Sequence, residues 1–180
     1  GHQRYPVLYL LHGYSDTEAT WRISGRADVI LDNLIAAGTA RPMLVVMPLG
    51  YPPPQPGDVL DEGDDTWSGW FSRVTPRLER YLCEELIPGI DAAYPTRATA
   101  AGRAIAGLSM GGGQSLSVGL GNTDRFAWVA AFSAAVSAEA HYPLLADPAA
   151  LNRRLALLWI GCGREDFLYS RNTALLARLD

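Results

Sequence analysis

The sequence contains no lysine: all 15 basic side chains are arginine, against 19 acidic residues, and the formal net charge is −4. A charge of this sign disfavours nucleic acid and an anionic membrane surface as partners, because both bind clustered positive charge. No apolar run approaches the ~20 residues that a membrane-spanning helix needs, and no signal peptide is visible. The first residues already lead into a predicted strand, so the compartment stays open between cytoplasmic and secreted.

Cysteine is also scarce. The two cysteines, Cys83 and Cys162, have neither CxxC nor zinc-site spacing, and we therefore predict free thiols in the core. The sequence has no G-x-G-x-x-G motif and no P-loop, so we expect no nucleotide cofactor and no catalytic metal. The densest acidic run, residues 58–65, does not match an EF-hand loop, which leaves two interpretations: a solvated loop or a calcium site.

Predicted strands and helices alternate along the chain, which is typical of an α/β fold with a mainly parallel sheet. We predict a single domain, residues 1–180, with helices on both faces of the sheet. Residues 48–70 are rich in proline, glycine and acid and are predicted to form a long loop, after which a helix begins with Thr75 as its N-cap and Pro76 at its first position. Asp147 is predicted to cap a later helix in the same way. Apolar runs of strand length occupy residues 6–11, 43–47, 103–108, 126–133 and 155–163.

The segment RAIAGLSMGGGQSL, residues 103–116, places Ser109 in a G-x-S-x-G pattern between a strand-like and a helix-like run. At a sharp strand-to-helix turn a serine hydroxyl stands clear of the sheet, and flanking glycines keep neighbouring side chains away. The helix that follows aims amide groups and a positive dipole toward it. The pattern predicts a nucleophilic serine, with a glycine-rich turn that carries an incidental serine as the alternative.

A nucleophilic serine needs amide donors for the oxyanion and an acid to orient its base. We expect the donors to be the amide of Met110, the residue after the serine, and the amide of Tyr14, where Gly13 lets the backbone approach the substrate. Asp166 follows the last predicted strand and is the candidate acid, because an α/β fold builds its site at the carboxyl ends of the strands. Glu165 is its competitor, and a solvated acidic pair at a helix start is the structural alternative.

These segments resemble the putative-esterase family of α/β-hydrolases, and most closely its feruloyl-esterase-like members. YPVLYLLHGYSDTEATW, RAIAGLSMGGGQSL and LLWIGCGREDFLYSRN carry the resemblance, which spans nearly the whole chain. It implies an α/β-hydrolase fold, Ser109 as nucleophile and Asp166 as the acid of a catalytic triad. It also implies that the long loop with Trp67 and Trp70 lies near the substrate cleft, although core packing explains those tryptophans equally well.

The chain departs from this family pattern at its ends. The resemblance places a catalytic histidine after a further strand beyond the acid, whereas this sequence stops at Asp180, and the elements that the family has at both sheet edges are missing. Three histidines remain. His2 precedes the first strand, and His12 lies where the oxyanion loop must keep its shape, so we interpret it as a loop-fixing residue. His141 lies between nucleophile and acid in sequence and is the candidate for a replacement base, with an ordinary surface or loop histidine as the alternative.

The resemblance therefore implies a serine carboxylic-ester hydrolase of the feruloyl or acetyl-xylan esterase kind, acting through an acyl-serine on a small-molecule or carbohydrate-linked ester. Two alternatives stay open: a catalytically silent hydrolase fold that binds a ligand without turning it over, and an acyltransferase. Loss of apolar cover at the sheet edges also predicts self-association of the chain.

Overall fold

A computed structural model describes residues 3–53 and 67–179, apart from the side chains of Trp67, Ser68 and Glu139. Its strands form one sheet in which every pairing is parallel. The strands are β1 (Val7–Leu11), β2 (Leu44–Val46), β3 (Arg103–Leu108), β4 (Trp128–Phe132) and β5 (Leu157–Gly161). Their order in the sheet is β2-β1-β3-β4-β5, so β3 is the middle strand of five. The predicted strands and the parallel α/β sheet are confirmed.

Helices connect the strands. They are α1 (Thr20–Ile23), α2 (Ala27–Ala36), α3 (Trp67–Arg80), α4 (Ile87–Ala93), α5 (Met110–Gly121), α6 (Ala138–His141), α7 (Pro148–Arg154) and α8 (Tyr169–Leu176). A π-helical segment, Tyr81–Leu86, joins α3 to α4. The predicted cap of α7 is confirmed, because the side chain of Asp147 accepts a 2.9 Å hydrogen bond from the amide of Ala150.

The predicted helix start at Thr75 is wrong. Helix α3 begins at Trp67, so Pro76 lies inside it and the predicted loop ends earlier than residue 70. A proline inside a helix costs about 3 kcal/mol, because it removes one hydrogen bond and crowds the preceding turn. Phe71, Val74 and Leu78 offset this cost: they lie on one face of the helix and are all buried, and each buried side chain of this size contributes about 1.5–3 kcal/mol.

The main core lies between one face of the sheet and the helices that pack on it. Tyr9 of β1, Ile105 of β3 and Val129 of β4 are fully buried there, together with Leu116 of α5. The rings of Tyr9 and Phe126 meet edge to face with centroids 5.9 Å apart. Because α5 packs on β3 and β4, the residue that joins β3 to α5 lies at the carboxyl end of the sheet's centre.

The second face of the sheet is covered only in part. Ala27 of α2 packs with Leu10 and Ala106 in a smaller core cluster that Trp21 and Met47 border. Toward β5 the same face is exposed, and four large apolar side chains remain between 37% and 44% accessible; these are Trp128, Phe132, Leu157 and Trp159. Helices therefore lie on both faces, as predicted, but the β4–β5 part of the second face stays largely exposed, although the ring of Trp21 on α1 lies 6.1 Å from that of Phe132, centroid to centroid.

Three further observations bear on the predictions. Both cysteines are free thiols; Cys83 is buried and Cys162 is half-buried. Burial raises the pKa of the Cys83 thiol, which keeps it protonated.

Across the described ranges, no helix has the length and apolar character to cross a bilayer. In the same ranges, no three His, Cys, Asp or Glu side chains lie together as a metal site would require. The acidic run 58–65 and His2 lie outside the described residues.

Candidate active site

Ser109 occupies the turn between β3 and α5 with φ = 55° and ψ = −112°. A positive φ is rare for a residue with a side chain, and a strained conformation of this kind costs of order 1–3 kcal/mol. Such strain persists only where the surrounding structure enforces it. The side chain is half-buried, at the carboxyl end of the middle strand.

The two glycines of the G-x-S-x-G pattern are required by close packing around this turn. A Cβ on Gly107 would lie 2.4 Å from the backbone of Gly111, and a Cβ on Gly111 would lie 2.5 Å from the carbonyl oxygen of His12. Any larger residue would push the start of α5 away from the ends of β1 and β3. The pattern therefore reports a backbone packing that holds Ser109 in its turn.

The turn that follows β4 binds both backbone groups of Ser109. The amide of Ser109 donates to the carbonyl of Phe132 at 2.9 Å, and the carbonyl of Ser109 accepts from the amide of Ala135 at 2.8 Å. Ser133, within this turn, also has a positive φ of 44°. The position of the serine thus depends on the β4 turn, residues 132–135, as much as on its own strand.

A cavity of about 390 Å³ opens beside Ser109. Its lining consists of Tyr14, Ser109, Ala135, Phe167, Leu168 and Arg171. Most of these groups are apolar, and Arg171 adds a positive charge at the start of α8. The cavity is large enough for a small acyl group in contact with the hydroxyl of Ser109.

The structure brings both predicted amide donors to this end of the sheet. Met110 is the first residue of α5, so its amide has no acceptor within the helix, whose first hydrogen bond runs from the amide of Gly113 to the carbonyl of Ser109 at 3.0 Å. Tyr14 lines the cavity, and an added Cβ on Gly13 would lie 3.9 Å from the Cβ of Ser109. The assignment of these amides as the oxyanion hole stays a proposal.

Two side chains, the buried His12 and the half-buried Tyr51, hold the loop that carries Tyr14. His12 is 1% exposed; its Nε2 accepts from the amide of Gly50 at 2.9 Å and its Nδ1 contacts the carbonyl of Gly13 at 2.8 Å. The hydroxyl of Tyr51 accepts from the amide of Ser15 at 2.6 Å and donates to the same Gly13 carbonyl at 3.3 Å. The interpretation of His12 as a loop-fixing residue is confirmed, and Tyr51 is a second such residue.

Three aromatic rings stand together beside the cavity. The centroid of Tyr14 lies 5.5 Å from that of Trp70 and 6.4 Å from that of Tyr51, and Tyr51 and Trp70 are 5.8 Å apart. Trp70 is therefore close to the predicted cleft. The side chain of Trp67 lies outside the described part of the chain.

Asp166 follows β5 and is bound to the β4 turn. Its Oδ1 accepts from the amide of Leu168 at 2.8 Å. This hydrogen bond and a second one from the hydroxyl of Ser133 lower the pKa of Asp166 below its ordinary value, because both stabilise the ionised carboxylate. Glu165, the alternative acid, is exposed. The structure therefore joins Asp166 to the turn that binds Ser109.

His141 is not brought to Ser109. It is fully buried, and its Nε2 contacts the carbonyl of Gly113 at 3.0 Å and the hydroxyl of Ser117 at 3.3 Å. Its Nδ1 lies 3.0 Å from the amide of Ser137. Both ring nitrogens are thus engaged beneath α5, and the geometry does not support the interpretation of His141 as a replacement base.

Sequence reasoning missed Ser133, Tyr51 and Asn172. The buried side chain of Asn172 binds both backbone groups of Ala134 in the β4 turn, and none of the three residues belongs to a catalytic motif. Ser133 carried a weak signal, since a polar residue that ends an apolar strand run lies at the functional edge of a parallel sheet. Asn172 and Tyr51 carried none, because their partners are 38 and 36 residues away in sequence.

Comparisons with known proteins agree on one family. The family model described as "Putative esterase" matches residues 1–163. The endo-1,4-beta-xylanase/feruloyl esterase of Xylanibacter ruminicola is 34% identical over 165 residues, which make up 91% of this chain and 20% of that protein. An esterase of Mycobacterium tuberculosis is 32% identical over 165 residues, 88% of this chain and 31% of that protein. The chain thus spans between a fifth and a third of the length of these relatives.

The fold is similar to that of solved esterases. A solved ferulic acid esterase superposes with a TM-score of 0.78 at 28% identity, over 98% of this chain and 73% of that chain. With the matched family model covering most of the sequence, the strained serine turn and the parallel sheet have a common explanation: the chain belongs to the putative esterase family and has an α/β-hydrolase-type fold.

Proposed function

We infer that this chain carries the nucleophile and the acid of a serine carboxylic-ester hydrolase. One observation carries the proposal. Ser109 is held at φ = 55° at the end of the middle strand, in the wall of a 390 Å³ cavity. Its backbone is bonded to the same turn that binds Asp166. A strained, cavity-lining serine and an ionised carboxylate that are held by one turn are parts of the arrangement that acyl transfer through serine uses.

The proposed reaction proceeds in two halves. The ester binds with its carbonyl oxygen toward the amides of Tyr14 and Met110, and Oγ of Ser109 attacks the carbonyl carbon while a base takes its proton. The C–O bond to the alcohol breaks, and the alcohol leaves with that proton. Water then attacks the acyl-serine, the acid is released, and Ser109 regains its hydrogen.

The described histidines do not supply the base. Both ring nitrogens of His12 and of His141 are occupied by backbone or side-chain groups other than Ser109. Within residues 3–53 and 67–179, Asp166 is therefore present without an imidazole to orient. Serine hydrolases that lose their base retain only a residual rate enhancement, from the oxyanion hole and binding, after a loss of order 10⁶ in turnover.

The substrate class we propose is an ester of an aromatic acid, free or linked to carbohydrate. The relatives named feruloyl and ferulic acid esterase motivate this choice. The three rings of Tyr14, Tyr51 and Trp70 support it, since aromatic side chains beside a cavity can stack on an aromatic acyl group. Arg171 adds a cation that can hold the released carboxylate.

A second function is favoured by the positions of the histidines: binding of such an ester without turnover. The cavity and the aromatic rings would suffice for it. The two functions differ in one respect, because binding alone does not need the hydroxyl of Ser109.

Hydrolysis assays separate the two functions. Rates with p-nitrophenyl acetate and methyl ferulate are compared for the chain, for Ser109→Ala and for Ser170→Ala, which removes an exposed hydroxyl on α8. Without a base we expect a slow reaction in all three proteins, since the oxyanion hole and binding remain. Added imidazole, as an external base, should accelerate the reaction of the chain and of Ser170→Ala but not that of Ser109→Ala. Equal rates in all three proteins in the presence of imidazole, together with saturable binding of methyl ferulate, would replace the hydrolase proposal by the binding function. An added alcohol acceptor that collects the acyl group would identify an acyltransferase.

We further propose that the chain self-associates through the exposed apolar part of its sheet. Trp128, Phe132 and Trp159 present large apolar side chains to solvent next to the edge strand β5. An edge strand without charge or proline, beside an apolar face, is a template for association.

A further inference from the structure

The buried amide of Asn172, on α8, has no role in the proposed reaction, yet it lies between the two segments that carry the site. The side chain is 1% exposed. Its Oδ1 accepts from the amide of Ala134 at 3.2 Å, and its Nδ2 donates to the carbonyl of Ala134 at 2.9 Å. Nδ2 also donates to the carbonyl of Leu168 at 2.9 Å. All three contacts are to backbone groups.

The first segment that Asn172 binds is the β4 turn, residues 132–135. Ala134 stands between Ser133, whose amide donates to the carbonyl of Gly161 at 2.7 Å, and Ala135, whose amide donates to the carbonyl of Ser109 at 2.8 Å. By pairing with both backbone groups of Ala134, the asparagine closes a turn that has no strand partner at this residue. The turn in turn holds Ser109.

The second segment is the loop after β5. Leu168 donates its amide to Oδ1 of Asp166 at 2.8 Å, and its carbonyl is one of the acceptors of Asn172. The hydroxyl of Ser133 completes the link, because it donates to the same carboxylate. Asp166 is thus bound by Leu168 and Ser133. Asn172 contacts Leu168 itself and Ala134, the residue that follows Ser133.

We propose that Asn172 is a positioning residue: it locks the β4 turn to the loop after β5 and so sets the Ser109 backbone and the Asp166 carboxylate relative to each other. Only a primary amide of this length offers one acceptor and two donors in the required places. An apolar side chain of similar size would fill the volume but leave the Ala134 amide unpaired and its carbonyl with the Val136 amide alone, and the turn would relax. The inference rests on the proposed function for its kinetic consequence only.

The test compares Asn172→Leu and Asn172→Ala with Asn122→Leu. Asn122 is a matched control, because its Nδ2 also donates to a helix carbonyl, Val118, and to the side chain of Glu79, at the far end of α5. Two readouts are taken on the folded proteins by NMR: the hydrogen exchange of the Ser109 and Ala135 amides, and the pKa of the Asp166 carboxyl.

Relative to the unmodified chain, we expect the exchange of both amides to accelerate more in the Asn172 variants than that of the Val129 amide in the core strand. We also expect the Asp166 pKa to rise toward its ordinary value. Asn122→Leu should change neither. The part of the p-nitrophenyl acetate rate that depends on Ser109, measured as the difference from Ser109→Ala in the presence of imidazole, should fall on the order of 10²-fold, since small displacements of reacting groups have effects of that size. A uniform change in exchange with an unshifted Asp166 pKa would overturn the proposal and leave Asn172 a purely structural residue.

Two further measurements keep the proposal testable. If neither Asn172 variant folds, the exchange of the Nδ2 protons of Asn172 in the unmodified chain decides: slow exchange supports the lock, and exchange at the rate of an exposed asparagine overturns it. If Ser109→Ala leaves the hydrolysis rate in the presence of imidazole unchanged, the hydrolase proposal fails, while the two NMR readouts still decide the role of Asn172.

Discussion

The backbone amide of Leu168 donates a 2.8 Å hydrogen bond to Oδ1 of Asp166. Together with the hydroxyl of Ser133, it lowers the pKa of the carboxyl group of this half-buried residue. The acid of the proposed site is therefore held ionised by hydrogen bonds, without help from a neighbouring positive charge. This feature gives the site a measurable pH dependence.

We expect Asp166 to stabilise the fold only where it is ionised. Its folded-state pKa lies below that of the unfolded chain, so its contribution is complete above the ordinary aspartate value of about 3.9 and is lost as the pH falls through the lower folded-state pKa. Urea unfolding of the chain and of Asp166→Asn should differ by a constant free energy near neutral pH, and the difference should shrink below about pH 4. A difference that grows as the pH falls would contradict the direction of this pKa shift.

The packing of Gly111 predicts a large effect of one methyl group. In Gly111→Ala the new Cβ would lie 2.5 Å from the carbonyl oxygen of His12 and 2.7 Å from that of Leu11. Because only backbone stands in its way, α5 must shift, and we expect a loss of at least about 1–3 kcal/mol in unfolding free energy. Gly89→Ala is the matched control: nothing lies within 4 Å of its new Cβ.

In α4 the control should stabilise the chain by up to about 1 kcal/mol, since alanine is the better helix former. Denaturant titrations of both variants measure the two effects. Equal stability of Gly111→Ala and the unmodified chain would show that α5 does not pack against the end of β1 as described.

From the contacts of His141 we expect that its replacement lowers the free energy of unfolding without a specific loss of activity. His141→Leu removes the 3.0 Å hydrogen bond that the amide of the half-buried Ser137 donates to Nδ1 and the buried 3.0 Å contact of Nε2 with the carbonyl of Gly113, a loss of about 1–3 kcal/mol. The rate of p-nitrophenyl acetate hydrolysis per folded molecule should stay unchanged, because the ring does not contact Ser109. A rate that collapses in the folded variant would restore His141 as the base.

The exposed sheet face predicts concentration-dependent association. Trp159 is 42% exposed, and its ring lies 4.7 Å from that of Phe132, centroid to centroid. Trp159→Ser should shift the chain toward monomer in sedimentation velocity experiments, because it removes apolar area at the centre of this face. Ile23→Ser is the control, since Ile23 is 64% exposed at a different place, on α1. If the unmodified chain is monomeric at all concentrations, the predicted association is refuted.

Much of the fold was predictable because its signals are local. The strand runs and the cap of α7 depend on neighbours in sequence, and the G-x-S-x-G pattern marks the turn at Ser109 by adjacent residues. The start of α3 was not predictable from the Thr75–Pro76 pair, because burial of Phe71 and Leu78 outweighs the proline's missing hydrogen bond.

The residues of the candidate site also differ in whether a local sequence signal predicts them. A motif marked Ser109, and a position after a strand marked Asp166. Asn172 was invisible, since its function depends on an Ala134 backbone that only the tertiary fold brings to it. The surroundings of His141 were also invisible, because its partner Gly113 lies 28 residues earlier in the chain.

The reactivity of Ser109 is tested most directly by mass spectrometry after the chain has been treated with a p-nitrophenyl phosphonate ester. Digestion and peptide mapping then locate the phosphonyl group. We expect a single adduct on the peptide that contains Ser109, absent from Ser109→Ala and present in Ser170→Ala. An adduct on another residue, or equal labelling of Ser109→Ala, would contradict the assignment of Ser109 as the nucleophile.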